Sequence, residues 1–289
     1  MTKKTISYKS TNLLIEELKK QSNIEVIKEG NLFSKFFSKK KYADVYFHSG
    51  ILDDKSIEKI QNSKFTIVNS FILMNQIIAK TKNFHQKMRV IYPSINIQYK
   101  NPEELKIEIC KELKIDFQTK LIFFTAKNFK SSGIKEFLDI CSALNFQDFK
   151  IIIAGEKKQI TALQFLLPKY QKLEDKIILL EDYSNVDDLF LASDIFLLPT
   201  YNKSFSLNIL KAMFCESIVF LSVDNDAKEI VDVFSSMNSP TDPSTAFKID
   251  AILLNENDLV NIKKQNRALA IEFTLEANLL KINDILEEV

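Results

Sequence analysis

The chain has 289 residues, of which 46% are hydrophobic and 27% are charged. This is enough for two domains of ordinary size, and it excludes an intrinsically disordered protein. The formal net charge is only +1, and Arg89 and Arg267 are the only arginines, which argues against nucleic acid as a partner. No apolar run reaches the roughly 18 residues of a membrane span. Residues 1–10 lack the apolar core of a signal peptide, so we expect a cytoplasmic protein.

Short apolar runs alternate with segments of helical periodicity along almost the whole chain. The runs are rich in Ile, Val, Phe and Leu, and several lack polar alternation, which is typical of parallel strands covered on both faces. We predict strands, in chain order, at residues 43–47, 65–68, 89–92, 121–125, 149–154, 176–180, 195–198 and 218–222.

Helix signals lie between these runs. Asn101 followed by Pro102 predicts a helix start, and Ser132 opens a segment with apolar residues on one face. Asn185 precedes two carboxylates, which are favourable at a helix N-terminus and which we read as structural rather than as metal ligands. The region after residue 258 is helical, with Thr274 as a cap. Alternating strands and helices predict doubly wound α/β domains.

The three cysteines are Cys110, Cys141 and Cys215. They are widely spaced, odd in number and set in helical segments, which favours buried, reduced thiols over disulfides or a metal site. We therefore predict no metal site.

A domain boundary is predicted near residues 92–101, where Pro93 and a run of polar residues interrupt the alternation. We assign residues 1–95 to an N-terminal domain and residues 96–270 to a second domain. Residues 271–289 form a C-terminal helix, which we treat as a candidate to pack back on the N-terminal domain.

Residues 191–213 read LASDIFLLPTYNKSFSLNILKAM. This segment is similar to a signature of the group 1 glycosyltransferases, with Asp194, Pro199 and Phe205 in register. Residues 88–95, 121–137, 151–156, 228–231 and 267–273 resemble other motifs of that family in the same order. The resemblance runs from about residue 64 to the end of the chain. It implies a GT-B fold of two doubly wound Rossmann-like domains, the N-terminal one shortened.

The resemblance also implies an activity. Members of this family transfer a hexose from a nucleotide-diphosphate sugar with retention of configuration and without a metal or other cofactor. The expected partners are the nucleotide sugar and a glycan or lipid-linked acceptor, as in bacterial surface polysaccharide or lipopolysaccharide synthesis. The alternative is a catalytically inactive pseudo-glycosyltransferase that serves as a binding or scaffolding subunit.

Two basic residues of one family loop neutralise the donor diphosphate. Lys127 stands at the arginine position, and Ser132, followed by Gly133, stands at the lysine position. Lys130 is a candidate for the second charge. The alternative is that Lys127 and Lys130 are two solvated loop lysines.

The family also carries two glutamates, one facing the donor sugar and one bonding the ribose. Lys203 and Lys211 occupy these positions. A protonated lysine accepts no hydrogen bond, and a cation beside an oxocarbenium-like transition state raises the barrier. Either the donor site has been rebuilt, for example for an acidic sugar, with Lys203 at the catalytic position, or it has decayed.

The remaining candidates follow from the same resemblance. Ser204, Phe205, Ser206 and Leu207 continue the donor loop, and Ser206 replaces a family glycine and is a candidate helix cap. Glu229 is the acid retained from the family's donor pocket.

Two candidates lie in the N-terminal part. His48 ends a strand that resembles one whose histidine lies near the donor sugar, so it is the second catalytic candidate; the alternative is a structural histidine. Residues 33–42 combine aromatic side chains with lysines. They are either a peripheral contact to the inner face of an anionic membrane or an ordinary amphipathic helix.

Overall fold

The computed structural model describes residues 3–27, 41–81 and 85–289. The candidate membrane segment at 33–42 lies almost entirely outside these residues. The described chain forms two compact units. Unit 1 combines Met1–Asn96 with Glu272–Val289, and unit 2 is Ile97–Ile271. Each unit is built on one parallel sheet, so the prediction of two Rossmann-like domains is confirmed.

Unit 1 contains a five-stranded sheet in the order β2-β1-β3-β4-β5. The chain moves from β1 to β2 on one side and then crosses to β3 on the other side of β1, which makes a topological switch point between β1 and β3. The strands are β1 (Lys4–Tyr8), β2 (Ile24–Val26), β3 (Val45–His48), β4 (Phe65–Val68) and β5 (Met88–Val90), and the helices are α1 (Leu13–Leu18), α2 (Asp54–Asn62) and α3 (Phe71–Thr81).

The last helix of the chain, α11 (Leu275–Glu287), belongs to unit 1. Thr274 caps it by accepting a hydrogen bond from the Ala277 amide. The Leu275 amide donates to the Ile95 carbonyl oxygen at 2.8 Å, and the Ile95 amide donates to Phe273 at 3.0 Å. Ile282 is fully buried in the same core as β1. The first and last segments of the chain therefore share one hydrophobic core.

Unit 2 contains a six-stranded parallel sheet in the order β11-β10-β9-β6-β7-β8. Its strands are β6 (Lys120–Thr125), β7 (Phe149–Gly155), β8 (Ile177–Glu181), β9 (Ile195–Leu198), β10 (Ile218–Ser222) and β11 (Ser236–Met237). Its helices are α4 (Pro102–Leu113), α5 (Ile134–Ser142), α6 (Lys157–Gln164), α7 (Val186–Ala192), α8 (Leu207–Phe214), α9 (Ser244–Leu254) and α10 (Glu256–Ile271).

The core of unit 2 is rich in phenylalanine. Phe123 of β6, Phe196 of β9 and Phe190 of α7 pack with ring centroids 5.0–5.8 Å apart. Tilted and edge-on contacts of this kind add to the free energy gained by burying the rings. They hold α7 against the two central strands.

Asp194, just before β9, is a buried carboxylate in unit 2. Its oxygens accept hydrogen bonds from Lys106 and Lys263, each at 2.8 Å, and from the Leu121 amide at 2.9 Å. Burial alone would raise the pKa of Asp194, but the two lysines hold that pKa well below its usual range. The aspartate of the 191–213 signature therefore connects α4 and α10 to the start of β6.

Most predicted elements lie where expected. The strands at 65–68, 195–198 and 218–222 have the predicted bounds, and the three cysteines are buried and free. The strands β1, β2 and β11 were not predicted. Among the described helices, none combines the length and the apolar character that a membrane crossing requires.

Candidate functional site

A cleft of about 350 Å³ opens in unit 2 at the carboxyl ends of β6, β7 and β8. Ligands bind outside this edge of open parallel sheets, because loops and helix N-termini converge there. The lining residues are Thr125, Ala126, Lys127, Gly155, Glu156, Gln159, Asp182, Tyr183, Val186, Asp187, Phe190, Asn208 and Lys211.

Two of the predicted donor-site lysines meet in this cleft. Lys127 is exposed in the loop after β6. Lys211 projects from α8, and its Nζ lies 2.6 Å from Oδ1 of Asp187 at the start of α7. Lys211 is therefore half of an ion pair rather than an isolated cation. The resemblance implies a carboxylate at position 211. The ion pair places the carboxylate of Asp187 next to that position, inside the cleft.

Gly133 and Ser132 hold the loop after β6 against the end of β9. Gly133 has a φ of +80°, and a Cβ there would lie 1.8 Å from the Pro199 carbonyl oxygen. Ser132 is buried, and its hydroxyl accepts a 3.4 Å hydrogen bond from Asn202. Lys130 is exposed on the same loop. These three residues do not line the cleft.

The loop after β9 is organised by Asn225, a residue that the sequence did not single out. Asn225 is buried, and its Nδ2 donates to the carbonyl oxygens of Asn202 at 2.8 Å and Ser204 at 2.7 Å. Its Oδ1 accepts from the amides of Ser206 at 3.2 Å and Ala227 at 3.0 Å. Four hydrogen bonds from one side chain thus fix the backbone around Lys203.

Lys203 itself is exposed in this loop. Its carbonyl oxygen accepts a 2.8 Å hydrogen bond from the Asp226 amide. Among the described residues, its ammonium has no hydrogen-bond or ion-pair partner. Within the described part of the chain, Lys203 is thus an unneutralised positive charge on a backbone that is held by hydrogen bonds.

The other donor-loop residues lie between Lys203 and α8. Ser204 is exposed, Phe205 is buried, and Leu207 is the first residue of α8. Ser206 occupies the N-cap position, but its hydroxyl makes no capping hydrogen bond. The expected capping role of the Ser206 side chain is therefore wrong; its amide is instead satisfied by Asn225.

A family model described as "Glycosyl transferases group 1" matches residues 106–269. This match spans more than half of the chain and includes every wall of the cleft. The chain belongs to the group 1 glycosyltransferase family. None of the curated proteins compared with this glycosyltransferase matches its sequence.

Solved glycosyltransferase structures share the fold. A glycosyltransferase from Rickettsia africae ESF-5 is 15% identical, with a TM-score of 0.74 over 100% of this chain and 99% of the other. HepE from Anabaena, solved with UDP-glucose, is 16% identical, with a TM-score of 0.68 over 85% and 72%. WaaG, which is involved in lipopolysaccharide biosynthesis, is 11% identical, with a TM-score of 0.68 over 98% and 99%. These likenesses establish the GT-B fold of this glycosyltransferase.

Glu229 of the glycosyltransferase lies in a 3-10 helix at Asp226–Ile230, directly after Asn225. Its side chain is half-buried and does not line the cleft. Because Asn225 bonds to both loops, the segments that carry Glu229 and Lys203 are held together through their backbones.

His48, the second catalytic candidate, lies in unit 1 at the end of β3. Its Nδ1 is 3.3 Å from the Tyr46 hydroxyl, and its buried Nε2 has no hydrogen-bond partner among the residues that the structure describes. Burial, together with the charge of Lys9, lowers the pKa of His48 to about 4, so the ring is neutral at physiological pH. It faces a cavity of about 160 Å³ whose lining contains no Lys, Arg, Asp or Glu.

The described residues contain no group of three or more His, Cys, Asp or Glu side chains that could hold a metal ion.

Proposed function

We propose that this glycosyltransferase transfers a hexose from a nucleotide-diphosphate sugar to a glycan or lipid-linked acceptor, as a cytoplasmic enzyme of surface polysaccharide or lipopolysaccharide synthesis. The observation that carries the proposal is the cleft of unit 2, where Lys127 and the Asp187–Lys211 pair meet at the carboxyl ends of three parallel strands. The fold shared with HepE, solved with UDP-glucose, and with WaaG supports it.

In this proposal the charged residues of the cleft contact different parts of the nucleotide. Lys127 neutralises the diphosphate as a point charge. Asp187 accepts hydrogen bonds from the ribose hydroxyls, in place of the family glutamate whose position Lys211 occupies. Lys211 orients Asp187 through their 2.6 Å ion pair. The acceptor of the hydrogen bond has thus moved from α8 to α7, and the charge of Lys211 is neutralised by Asp187.

Lys203 lies on the loop before α8 and does not itself line the cleft, but its charge favours a donor whose sugar is itself acidic. An exposed ammonium on a loop fixed by Asn225 is suited to a sugar carboxylate. We propose retention of configuration without a metal or other cofactor.

A pseudo-glycosyltransferase is the second candidate, and the charge of Lys203 is the observation that favours it. A cation about 4 Å from an oxocarbenium-like transition state, at an effective dielectric constant of ~20, costs about 4 kcal/mol. That cost corresponds to a rate that is lower by roughly a thousandfold. In this case the cleft binds a nucleotide and no transfer follows.

Calorimetric titration with UDP and GDP, then with their sugars, tests the proposal. We expect micromolar binding that weakens about tenfold in Lys127→Ala, because one charge-assisted contact is lost. Lys130→Ala is the matched control, since Lys130 lies on the same loop but outside the cleft. No binding at millimolar nucleotide would overturn the nucleotide site. Binding without any release of sugar or nucleotide diphosphate in the presence of acceptors would favour the pseudo-enzyme.

A further inference from the structure

The cleft of unit 2 is lined by more negative than positive side chains. Its charged lining residues are Lys127 and Lys211 together with Glu156, Asp182 and Asp187. Lys211 and Asp187 neutralise each other in their ion pair, and within the described part of the chain Glu156 and Asp182 belong to no ion pair. Lys127 is therefore outnumbered by two carboxylates. Because a diphosphate is itself anionic, these carboxylates are suited to a different part of the nucleotide.

The two ends of the cleft differ in charge. Lys127 follows β6, whereas Asp182 follows β8, and β7 lies between these two strands. Neighbouring strands are about 4.8 Å apart, so the two loops begin roughly 10 Å from each other. Asp187 lies in the first turn of α7, the helix that follows β8. A nucleotide with its diphosphate on Lys127 and its ribose on Asp187 thus has its base next to the loop after β8.

Asp182 is held at the wall of the cleft by the loop after β7. Its amide donates to the Gly155 carbonyl oxygen at 2.9 Å, and its Oδ1 accepts a long hydrogen bond of 3.4 Å from the Lys157 amide. The side chain is exposed, and its Oδ2 has no hydrogen-bond partner among the described residues. The carboxylate therefore offers a ligand acceptor positions on both oxygens and no donor.

The next residue, Tyr183, adds an aromatic ring to the same wall. Its side chain is half-buried, and its hydroxyl donates to Oε2 of Glu112 on α4 at 3.2 Å. Burial and the charge of Glu112 raise the pKa of Tyr183, so the hydroxyl keeps the proton for this bond at neutral pH. A ring that is fixed at its outer end is suited to stacking on a base, since every base has a π-face.

We propose that the nucleotide of the donor is guanosine diphosphate, with Asp182 selecting the base and Tyr183 stacking on it. The Watson–Crick edge of guanine carries two adjacent donors, N1–H and N2–H, which the two oxygens of one carboxylate can accept. Uracil has one N–H between two carbonyl oxygens, and adenine and cytosine have an amino group beside a ring nitrogen that accepts. A carboxylate repels each of these acceptors and so favours guanine. The inference rests on the proposed function, because it concerns the same cleft.

Calorimetric titration of the full chain with GDP, ADP and UDP tests this inference. We expect GDP to bind about tenfold more tightly than ADP or UDP, because only guanine forms two charge-assisted hydrogen bonds with Asp182. ADP separates recognition of the base edge from stacking, since both bases are purines. In Asp182→Asn the preference for GDP should fall about tenfold, while UDP binding persists and shows that the variant is folded. Asp175→Asn is the matched control, because it removes an exposed carboxylate of unit 2 outside the cleft.

Tyr183 is tested separately from Asp182. Tyr183→Ala should weaken the binding of all three nucleotides about tenfold, because stacking does not depend on the identity of the base. Tyr183→Phe keeps the ring and loses only the bond to Glu112, so it should retain most of the affinity. Equal losses in the two variants would overturn the stacking role of the ring.

The possible results distinguish the selection of guanine from the nucleotide site itself. If none of the three nucleotides binds, the nucleotide site is refuted, and its base selectivity with it. If UDP or ADP binds at least as tightly as GDP, and this binding weakens in Lys127→Ala, the nucleotide site stands and the selection of guanine is overturned. A preference for GDP that is the same in Asp182→Asn as in wild type overturns the role of Asp182.

Discussion

Asn225 donates a hydrogen bond of 2.7 Å from its side-chain amide to the carbonyl oxygen of Ser204. This bond and two others, to Asn202 and Ser206, join the loops after β9 and β10, and a fourth, from the Ala227 amide, is local to the loop after β10. A buried asparagine that uses both its donors and its acceptor in this way replaces the hydrogen bonds of regular secondary structure. The position of Lys203 thus depends on a residue outside its own loop.

Replacing Asn225 by alanine should lower the free energy of unfolding by about 2 kcal/mol or more, because backbone groups of four residues lose their partner. Urea unfolding followed by circular dichroism measures the change. Asn202→Ala is the control: its side chain is exposed and makes only long hydrogen bonds of 3.3 and 3.4 Å, so we expect a change within about 0.5 kcal/mol. Equal losses in the two variants would refute the special role of Asn225.

Asp194→Asn should cost about 3–5 kcal/mol, because Lys106 and Lys263 would lose a buried carboxylate. The wild-type contribution should also depend on pH. The pKa of Asp194 is lower in the folded than in the unfolded state, so its stabilisation is complete above the unfolded value of about 3.9 and is lost as the pH falls below it. Unfolding curves between neutral and acidic pH should therefore converge for wild type and variant. A difference that stays constant with pH would contradict this assignment.

The ion pair in the cleft can be tested by exchanging its charges. Lys211→Glu puts the family's glutamate at its usual position but directly beside Asp187, and because the two carboxylates repel each other we expect UDP affinity to fall about tenfold. Asp187→Lys alone should weaken binding similarly, since the proposed acceptor of the ribose hydroxyls is lost. The double variant restores an opposite pair in reversed order, and titration calorimetry should find much of the affinity recovered. Strictly additive losses would show that the two residues do not act together on the ligand.

Two glycines have left-handed backbone conformations, and substituting each of them distinguishes the cost of backbone strain from the cost of a steric clash. Gly50 has a φ of +75° with open space around a new Cβ, whereas at Gly133 that atom would lie 1.8 Å from the Pro199 carbonyl oxygen. Gly50→Ala should cost about 1–2 kcal/mol. Gly133→Ala should cost roughly 1–3 kcal/mol more, because the loop after β6 must also move. Thermal unfolding of the two variants measures the difference, and equal costs would show that the contact with Pro199 is relieved without strain.

The strands of unit 2 were predictable because their signal is local. Residues 195–198 and 218–221 are uninterrupted apolar runs, the second followed by Ser222; the side chains of both strands are buried throughout, and the bounds are those expected. By contrast, β2 contains three residues with an exposed glutamate in the middle, and β11 contains only two residues. Such short strands depend on pairing with β1 and β10 for their conformation, and their own sequences contain no pattern that predicts a strand.

The candidate site shows the same difference between features with a local sequence signal and features that depend on tertiary contacts. Lys127 could be identified from its place in a family loop. The sequence predicts correctly that Asp187 lies at the start of a helix. Nothing in the neighbouring sequence indicates that it pairs with Lys211, 24 residues away. Asn225 is one asparagine in a polar segment, and three of its four hydrogen bonds arise only when two loops converge. Tertiary pairs of this kind become visible only in the folded chain.

The return of α11 to unit 1 has a consequence for synthesis on the ribosome. Unit 2 is one continuous stretch of chain, so all of its strands have been synthesised before residue 275 is translated. Unit 1 acquires Leu275 and Ile282, which complete the core around Ile6, only after unit 2 has been translated. Although domains usually fold in the order in which they are synthesised, the core of unit 1 is therefore completed after the chain of unit 2 is available. Until then the first part of unit 1 carries an open apolar surface, and this is where we expect chaperones to bind the nascent protein.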